Sequence, residues 1–379
     1  MKISATLLLL FSSLTLALRA ESDVRLLPDG IEVSCAPRSL TNLTSYFLKA
    51  TRIFPSPGAT KRKASSKDTP AVAAHPTKPD ALSGTTYGDE KGFALKVTNS
   101  IVKITLRSQL IASYYYRHAA IRRPFFANFK TPDGIQVTRN FPPRSGDPRD
   151  HWDMHPGLSL GFALVNDVNF WHNKEGSVVH EGLEKIEAKG GEALFTATNR
   201  YLDDTGLELA REVTTYTFSE NSDGYLLSLD IRLTASKSLE FGIKEEMGLA
   251  LRAATPITVK HGKGSILSAA GGIDEEGTWG KVDRWWDYFG PIGGRNAGVQ
   301  LMSAPDNPAV WSHSRDYGVL VANPFPVDNK ANRGKKVNLA RGETLRLRFG
   351  VQVHDQGTRS IYDPTAAYKR YINTLPESN

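Results

Sequence analysis

The sequence predicts an all-β protein built as a large antiparallel β-sandwich. Apolar and polar residues alternate with a period of two in many short runs, Gly, Asn or Asp separate those runs, and helical periodicity is almost absent. The alternation is clearest in residues 94–98, 101–111, 178–186, 192–199, 209–218, 225–234 and 345–354. A doubly wound α/β fold would need continuous apolar strands separated by helices, and this pattern is missing. One face of most strands is therefore expected to meet solvent.

Local signals refine this prediction. Asp223 and Gly224 lie between two alternating runs and predict a hairpin, because Gly tolerates a positive φ without a steric penalty. Residues 364–375, which contain Tyr368, Tyr371 and Ile372, predict the single helix. No repeat of fixed period is present, which argues against a propeller. The fold class expected is thus a sandwich with one helix near the C-terminus.

The N-terminal residues predict export. Lys2 precedes an apolar run that ends at Leu18, and this run is shorter than the roughly 20 residues that span a bilayer. We interpret residues 1–20 as a signal peptide, residues 21–91 as a basic, low-complexity linker-like segment, and residues 92–379 as the sandwich domain. The protein is expected in the periplasm or outside a bacterial cell, without integral membrane contact after signal removal.

The charge and cysteine content exclude several classes of function. The formal net charge is +7, but eight Lys or Arg stand against four Asp or Glu between Lys49 and Lys91, so much of the excess lies in one segment. That segment is also rich in Pro, Ser, Ala and Thr, which predicts disorder rather than a nucleic-acid surface. The single Cys excludes an intramolecular disulfide framework. No nucleic-acid partner is expected.

Histidines and carboxylates concentrate in loops between the predicted strands. His151, His155 and His313 are candidates for acid/base chemistry, and Glu245 is a candidate partner carboxylate. Adjacent Glu245 and Glu246 should point to opposite faces if the segment is a strand. The same three histidines leave open an alternative in which they bind one divalent metal as a cofactor.

A second set of residues predicts binding of a polar ligand, and a sugar fits it best. Charged contacts to substrate oxygens are expected from Arg139, Arg315 and Asp316. Aromatic side chains beside Gly, Pro, Asp and His can stack on sugar rings, and Trp286, Tyr288 and Trp152 are the candidates. No Ser-hydrolase elbow, Walker loop, zinc-protease helix or dinucleotide fingerprint is present, so those activities lack their main support.

Several motifs in one order resemble a known family. They are Arg123-Pro-Phe-Phe, Asp150-His with Met154-His-Pro-Gly-Leu, Asp167-Val-Asn-Phe-Trp, Lys244-Glu, Asp287-Tyr-Phe-Gly-Pro and His313-Ser-Arg-Asp-Tyr-Gly. Over residues 116–325 the chain resembles the bacterial PmoA-like family, a domain of unknown function catalogued as "methane oxygenase PmoA". The methane monooxygenase activity in that label needs transmembrane helices, which this chain does not offer after its signal.

The resemblance implies a secreted protein of bacteria that degrade polysaccharides and a sandwich of the galactose mutarotase type. It implies one pocket lined by His151, His155, Glu245, His313, Arg315 and Asp316. One position departs from the expected pattern, since Ser159 stands where an aromatic residue is expected after His-Pro-Gly-Leu.

Together these observations predict an exported carbohydrate-active protein that uses acid/base chemistry on a glycoside or uronate-like sugar. Elimination, hydrolysis and epimerisation all use such groups, so the reaction stays open. Two alternatives remain: a non-catalytic sugar-binding or envelope module, and a metal-dependent enzyme that uses the histidine cluster.

Overall fold

The computed structural model describes residues 82–327, 329–332, 335–356 and 361–376, together with the backbone of three short N-terminal strands. The chain divides into two compact units, residues 1–73 and residues 74–379. In the first unit, β1 (Ser22–Leu27), β2 (Gly30–Cys35) and β3 (Leu48–Lys49) form an antiparallel sheet. The predicted linker-like segment therefore contains strands. The predicted signal peptide lies outside the described residues, as does most of the segment predicted to be disordered.

The second unit contains two large antiparallel sheets. Within the described residues nine strands form the first sheet, in the spatial order β19-β20-β15-β9-β8-β7-β6-β5-β4. Their bounds are β4 Thr86–Gly88, β5 Phe93–Val97, β6 Ile101–Leu106, β7 Gln109–Tyr115, β8 Phe125–Ala127, β9 Leu158–Phe162, β15 Met247–Arg252, β19 Trp311–Ser314 and β20 Val319–Asn323. Because β4 begins at Thr86, the predicted domain start at residue 92 is a few residues late.

Eight strands of the described chain form the second sheet, in the order β10-β11-β12-β13-β22-β18-β17-β16. Their bounds are β10 Ser177–Lys189, β11 Glu192–Leu202, β12 Glu208–Asn221, β13 Gly224–Ala235, β16 Ser265–Ser268, β17 Trp285–Ile292, β18 Arg295–Ser303 and β22 Thr344–Gln356. The predicted hairpin is confirmed, since β12 and β13 pair from Asn221 opposite Gly224, and Gly224 has a φ of 143°.

Smaller elements complete the unit. Strands β14 (Leu239–Phe241) and β21 (Val337–Leu339) pair with each other, and a 3-10 turn covers Thr255–Ile257. Helix α1 (Asp274–Thr278) is short, and helix α2 (Pro364–Thr374) lies where the sequence predicts a helix. The Asp363 side chain caps α2 by accepting hydrogen bonds from the backbone N–H groups of Thr365 and Ala366. No helix among the described residues is long and apolar enough to cross a membrane.

Apolar side chains of both sheets meet in one large core. Leu158, Leu249 and Leu251 contribute from the nine-stranded sheet, and Leu227 and Val351 contribute from the eight-stranded sheet. This packing confirms the predicted all-β antiparallel sandwich. Every residue of β15, β19 and β20 is buried, so the expectation that one face of a strand meets solvent is wrong for these three strands. The outer face of the nine-stranded sheet carries most of the predicted site residues.

Candidate functional site

A row of small and polar side chains crosses the outer face of the nine-stranded sheet. His313 lies opposite Val321 on the neighbouring strand, Val321 lies opposite Ala250, and Ala250 lies opposite Ser159. Residues directly opposite in antiparallel strands point to the same face, so these four side chains share one face. Arg252 lies two residues along the strand from Ala250 and shares that face. Small residues on this part of the sheet leave room for functional side chains above it.

Trp171 occupies part of that room above Gly161. A Cβ atom at position 161 would come within 2.8 Å of Cε3 of the Trp171 ring. Arg123 also lies here, since its Nε donates to Oγ of Ser159 at 3.4 Å and its Nη1 donates to the Trp171 carbonyl at 2.6 Å. Ser159, where the sequence resemblance leads one to expect an aromatic residue, is therefore the hydrogen-bond acceptor of a buried guanidinium.

This contact yields a stability prediction. We expect Gly161→Ala to lower the free energy of unfolding by about 1–3 kcal/mol, because the added methyl must displace the fully buried Trp171 ring. Urea unfolding of the variant and the unchanged protein measures the effect. Gly182→Ala is the matched control, because a Cβ at position 182 meets nothing within 4 Å. Equal losses in the two variants would contradict the proposed packing of Trp171.

His155 is buried beside Trp171. The His155 ring meets the Trp171 ring edge-on at a centroid distance of 5.6 Å, and the His151 ring lies 6.0 Å away. Burial lowers the pKa of His155 well below its usual range, and the nearby guanidinium groups of Arg123 and Arg252 lower it further. His155 is therefore a neutral imidazole at physiological pH.

Glu246 lies between two histidines. Its Oε2 is 2.9 Å from Nε2 of His172, and its Oε1 is 3.9 Å from Nε2 of His155. Oδ1 of Asn169 accepts hydrogen bonds from the backbone N–H groups of Trp171 and His172, so its amide group faces Nδ1 of His172 at 3.2 Å. Because the Asn169 amide donates to Nδ1, Nε2 of His172 carries a proton and donates it in a hydrogen bond to Glu246. The Glu246 carboxylate is thus oriented by one hydrogen bond and keeps its second oxygen for other partners.

Glu245 turns toward a different histidine. Its Oε2 lies 3.4 Å from Nδ1 of His313 and 3.3 Å from Nη2 of Arg315. The indole Nε1 of Trp279 donates to the same Nδ1 of His313 at 3.1 Å, which leaves the proton of the neutral ring on Nε2. Burial, with a smaller contribution from the charge of Arg315, lowers the pKa of His313 to about 4. His313 is therefore neutral, and its contact with Glu245 is not an ion pair at neutral pH.

Helix α1 positions one wall of the site through Glu275. The Glu275 carboxylate accepts from Nη1 of Arg315 at 2.6 Å and from the backbone N–H of Asp316 at 3.0 Å. The Asp316 carboxylate in turn accepts from the backbone N–H of Glu275 at 2.9 Å. Asp316 therefore holds the start of the helix, and its predicted contact with a substrate stays a prediction.

A guanidinium pair borders the site on another side. Arg252 donates from Nη2 to Oδ2 of Asp150 at 2.8 Å and lies 4.8 Å from the centre of the Tyr317 ring. Arg139 donates from Nη1 to the carbonyls of Asp150 and His155, at 3.0 and 3.4 Å. Burial, together with the nearby charge of Arg252, lowers the pKa of Arg139 to about 10, so Arg139 remains a cation at neutral pH.

The structure brings most of the predicted residues to one region. His151, His155, His313, Glu245, Arg315 and Arg139 all lie on the outer face of the nine-stranded sheet or on the loops beside it. The expectation that Glu245 and Glu246 point to opposite faces holds only for a strand and does not apply, because both precede β15 in a bend and both reach histidines of this region. Their roles in catalysis and binding stay predictions.

The three aromatic residues that were predicted to stack on a sugar lie in two different environments. Trp286 and Tyr288 are fully buried in the core between the sheets, so the prediction that they stack on a sugar is wrong. The Tyr288 hydroxyl instead donates toward the carbonyls of Arg315 and Asp316, at 3.2 and 3.0 Å. Trp152 is half-buried and stacks on Phe141 with a centroid distance of 6.2 Å, so it keeps an accessible part.

Three site residues escape the sequence argument: His172, Arg252 and Trp279. Glu246 enters it only as the neighbour of Glu245. The sequence carries a signal for Trp279, a large aromatic residue followed by Gly280, and for His172, which follows Phe170 and Trp171. Arg252 ends an apolar run and carries no local signal of function. Its role depends on its neighbours in space.

A metal site was one of the alternatives. Among the residues that the structure describes, no group of three or more His, Cys, Asp or Glu side chains is arranged to hold a metal ion. His151, His155 and His313 therefore do not form such a group in this arrangement. The acid/base interpretation relies on the histidine and glutamate pairs themselves.

A comparison with known protein families identifies the family of this chain. A family model described as "Family of unknown function (DUF6807)" matches residues 101–361, which include every site residue described above. The chain belongs to the DUF6807 family. The match names no PmoA-like protein, so that resemblance stays a prediction. No curated protein matches the sequence.

Solved structures give distant likenesses to this DUF6807 protein. A GH36 alpha-galactosidase from Geobacillus stearothermophilus matches 72% of the chain at 9% identity and a TM-score of 0.34, and the chain spans 41% of that enzyme. Galactose mutarotase-like proteins from Clostridium acetobutylicum and Lactobacillus casei match at 8% and 9% identity, with TM-scores of 0.32 and 0.31. The chain covers 98% of the first and 100% of the second, and they cover 72% and 69% of the chain. No functional conclusion rests on these likenesses.

Proposed function

We propose that this DUF6807 protein is an exported carbohydrate-active enzyme that carries out acid/base chemistry on a glycoside or uronate-like sugar. The observation that carries the proposal is the arrangement of two adjacent glutamates, each beside a different histidine. Glu246 accepts a hydrogen bond from His172, and Glu245 lies beside His313 and Arg315. The proposal includes export because residues 1–20 have the sequence pattern of a signal peptide.

The two pairs suit complementary tasks. Glu246 is a carboxylate with 26% of its side chain exposed, so it can take a proton from a sugar carbon or hydroxyl group. His313 carries its proton on Nε2, and no hydrogen bond among the described residues uses that atom. It can therefore donate a hydrogen bond to an oxygen on which negative charge develops. Half-buried Trp279 lies beside His313 and can contact the apolar face of a sugar ring.

The reaction type can be identified with one experiment on the full chain. Acidic and neutral oligosaccharides are incubated with the protein in D₂O and followed by proton NMR. Elimination produces a vinyl proton, hydrolysis produces a new reducing end, and epimerisation replaces a carbon-bound proton with deuterium. We expect one of these signals with at least one sugar. If sugars bind, as measured by saturation transfer, yet none changes, the protein is the non-catalytic sugar-binding module and the proposal is wrong.

A further inference from the structure

A polar cleft lies beside the histidine and glutamate pairs and belongs to neither. Its volume is about 330 Å³, near the lower end of the range for small-molecule sites. Its walls include three arginines, Arg139, Arg144 and Arg252, and one acidic residue, Asp147. Ala254, Pro256 and Ile292 form an apolar part of the wall. The wall of the cleft therefore carries a surplus of positive charge beside a short apolar surface.

The two inner arginines are deeply buried. Arg252 is 3% exposed and Arg139 is 6% exposed. Nη1 of Arg252 is buried without a hydrogen-bond partner among the described residues, although Nη2 of the same group binds Asp150. Burying a charged donor without an acceptor costs free energy. A ligand oxygen that accepts a hydrogen bond from Nη1 would therefore stabilise this arrangement.

Arg139 has a related arrangement. All three of its hydrogen bonds go to backbone carbonyls, those of Pro148, Asp150 and His155. Within the described part of the chain it has no carboxylate in ion-pair contact, so its charge is not neutralised by a partner. Because Arg139 donates to the carbonyl of His155, the cleft lies beside this buried histidine of the proposed active site.

The charge balance of the cleft matches a monoanion. Arg139, Arg144 and Arg252 bring three positive charges, and Asp147 together with Asp150 brings two negative charges. The surplus of one positive charge fits a group with one negative charge. Guanidinium groups bind planar oxyanions through parallel N–H donors, which suits a carboxylate. Ala254, Pro256 and Ile292 offer an apolar surface for the carbon face of the ring that bears it.

We propose that Arg252 and Arg139 form a subsite for a monoanionic oxyanion carried by a sugar, the carboxylate of a uronate. The inference rests on the proposed function, because it places the acid group of the substrate next to the proposed acid/base residues. Held there, a carboxylate would be paired with a guanidinium. That pairing favours transfer of the proton on the neighbouring carbon to the proposed acceptor, the Glu246 carboxylate, because the negative charge that develops on the substrate's carboxylate oxygens is stabilised.

The test is binding, which needs no turnover. Isothermal titration of the full chain with sodium glucuronate, glucose and glucose 6-sulfate compares a carboxylate, a neutral sugar and a sulfate ester. We expect glucuronate to bind at least about 10-fold more tightly than glucose, the size of one charged hydrogen bond. Arg252→Gln should weaken glucuronate binding by roughly 10- to 100-fold and leave glucose binding unchanged.

Two further variants keep the test decisive. Asp150→Asn removes the acidic partner of Arg252 without touching the guanidinium, and we expect it to tighten glucuronate binding several-fold. Arg232→Gln, on the eight-stranded sheet with a half-exposed side chain, is the matched control and should change nothing. Equal binding of glucuronate and glucose, or an unchanged affinity in Arg252→Gln, overturns the subsite. Tighter binding of the sulfate ester than of glucuronate overturns the assignment to a carboxylate.

These outcomes are separable from failure of the proposed function. Selective glucuronate binding without turnover of any sugar would support the subsite and reject the enzyme. Turnover of neutral sugars with no preference for glucuronate would support the enzyme and reject the subsite.

Discussion

Replacing Glu246 with Gln should lower kcat/KM by about 10²- to 10⁴-fold on any sugar that the unchanged protein converts. Gln keeps the size of the side chain and an oxygen that can accept from Nε2 of His172, 2.9 Å away. It removes the negative charge and the ability to take a proton. The expected loss is therefore chemical, with the fold and the binding of sugar retained. Initial rates over a range of sugar concentrations measure it.

Comparison with the neighbouring glutamate sharpens this prediction. Glu245 lies 3.3 Å from Arg315, so its charge is already partly balanced, and we expect Glu245→Gln to cost less than Glu246→Gln. Glu184→Gln, an exposed change on the eight-stranded sheet, is the control and should leave the rate unchanged. A Glu246→Gln variant with the full rate, or a larger loss in Glu245→Gln, would show that Glu246 is not the proton acceptor.

The free energy of unfolding should fall as the pH is lowered from about 6.5 to about 4, in part because of His313. Burial lowers the pKa of His313 to about 4 in the folded protein, whereas an unfolded histidine has a pKa of about 6.5. Between these values the unfolded chain binds a proton that the folded protein does not. The stabilising contribution of His313 is thus fully present above about pH 6.5 and is lost as the pH falls toward 4, by about 3 kcal/mol in total.

Other buried groups act in the same window, so the effect must be isolated by a variant. His155 has a lowered pKa and adds a change of the same sign, whereas burial raises the pKa of Glu212 and adds a change of the opposite sign. Arg315, Glu245, Glu275 and Trp279 surround His313. His313→Asn keeps an acceptor for the Trp279 indole and removes the titrating group, so the contributions of the remaining groups cancel in the comparison.

Urea unfolding at a series of pH values measures the difference. We expect the unchanged protein to lose more stability on acidification than His313→Asn does. His261→Asn, the same change at an exposed histidine, is the matched control. Parallel curves for the unchanged protein and His313→Asn would mean that the pKa of His313 is the same in the folded and unfolded states, which would contradict this prediction.

Sequence alone was sufficient for the architecture because the strand pattern is local. A period-two alternation states which residues of a strand share a face, and a Gly that follows a polar turn residue marks a hairpin, as at Gly224. The helix at Pro364–Thr374 begins with an Asp cap and Pro at its first position, both of which are readable from neighbouring residues. The sequence also named His155, Glu245, His313, Arg139 and Arg315 as candidates, and the structure places them in one region, where their roles stay predictions.

Only the tertiary structure decided which carboxylate meets which histidine. Glu245 and Glu246 are adjacent in sequence, yet the bend before β15 directs one to His313 and the other to His172, 74 residues away. It also decided that Trp286 and Tyr288 belong to the core and that Arg252 lines a cleft. Alternation along one strand cannot distinguish a face that packs on the second sheet from a face that carries a site. That distinction depends on which sheet lies opposite, and it is fixed by contacts between residues far apart in the chain.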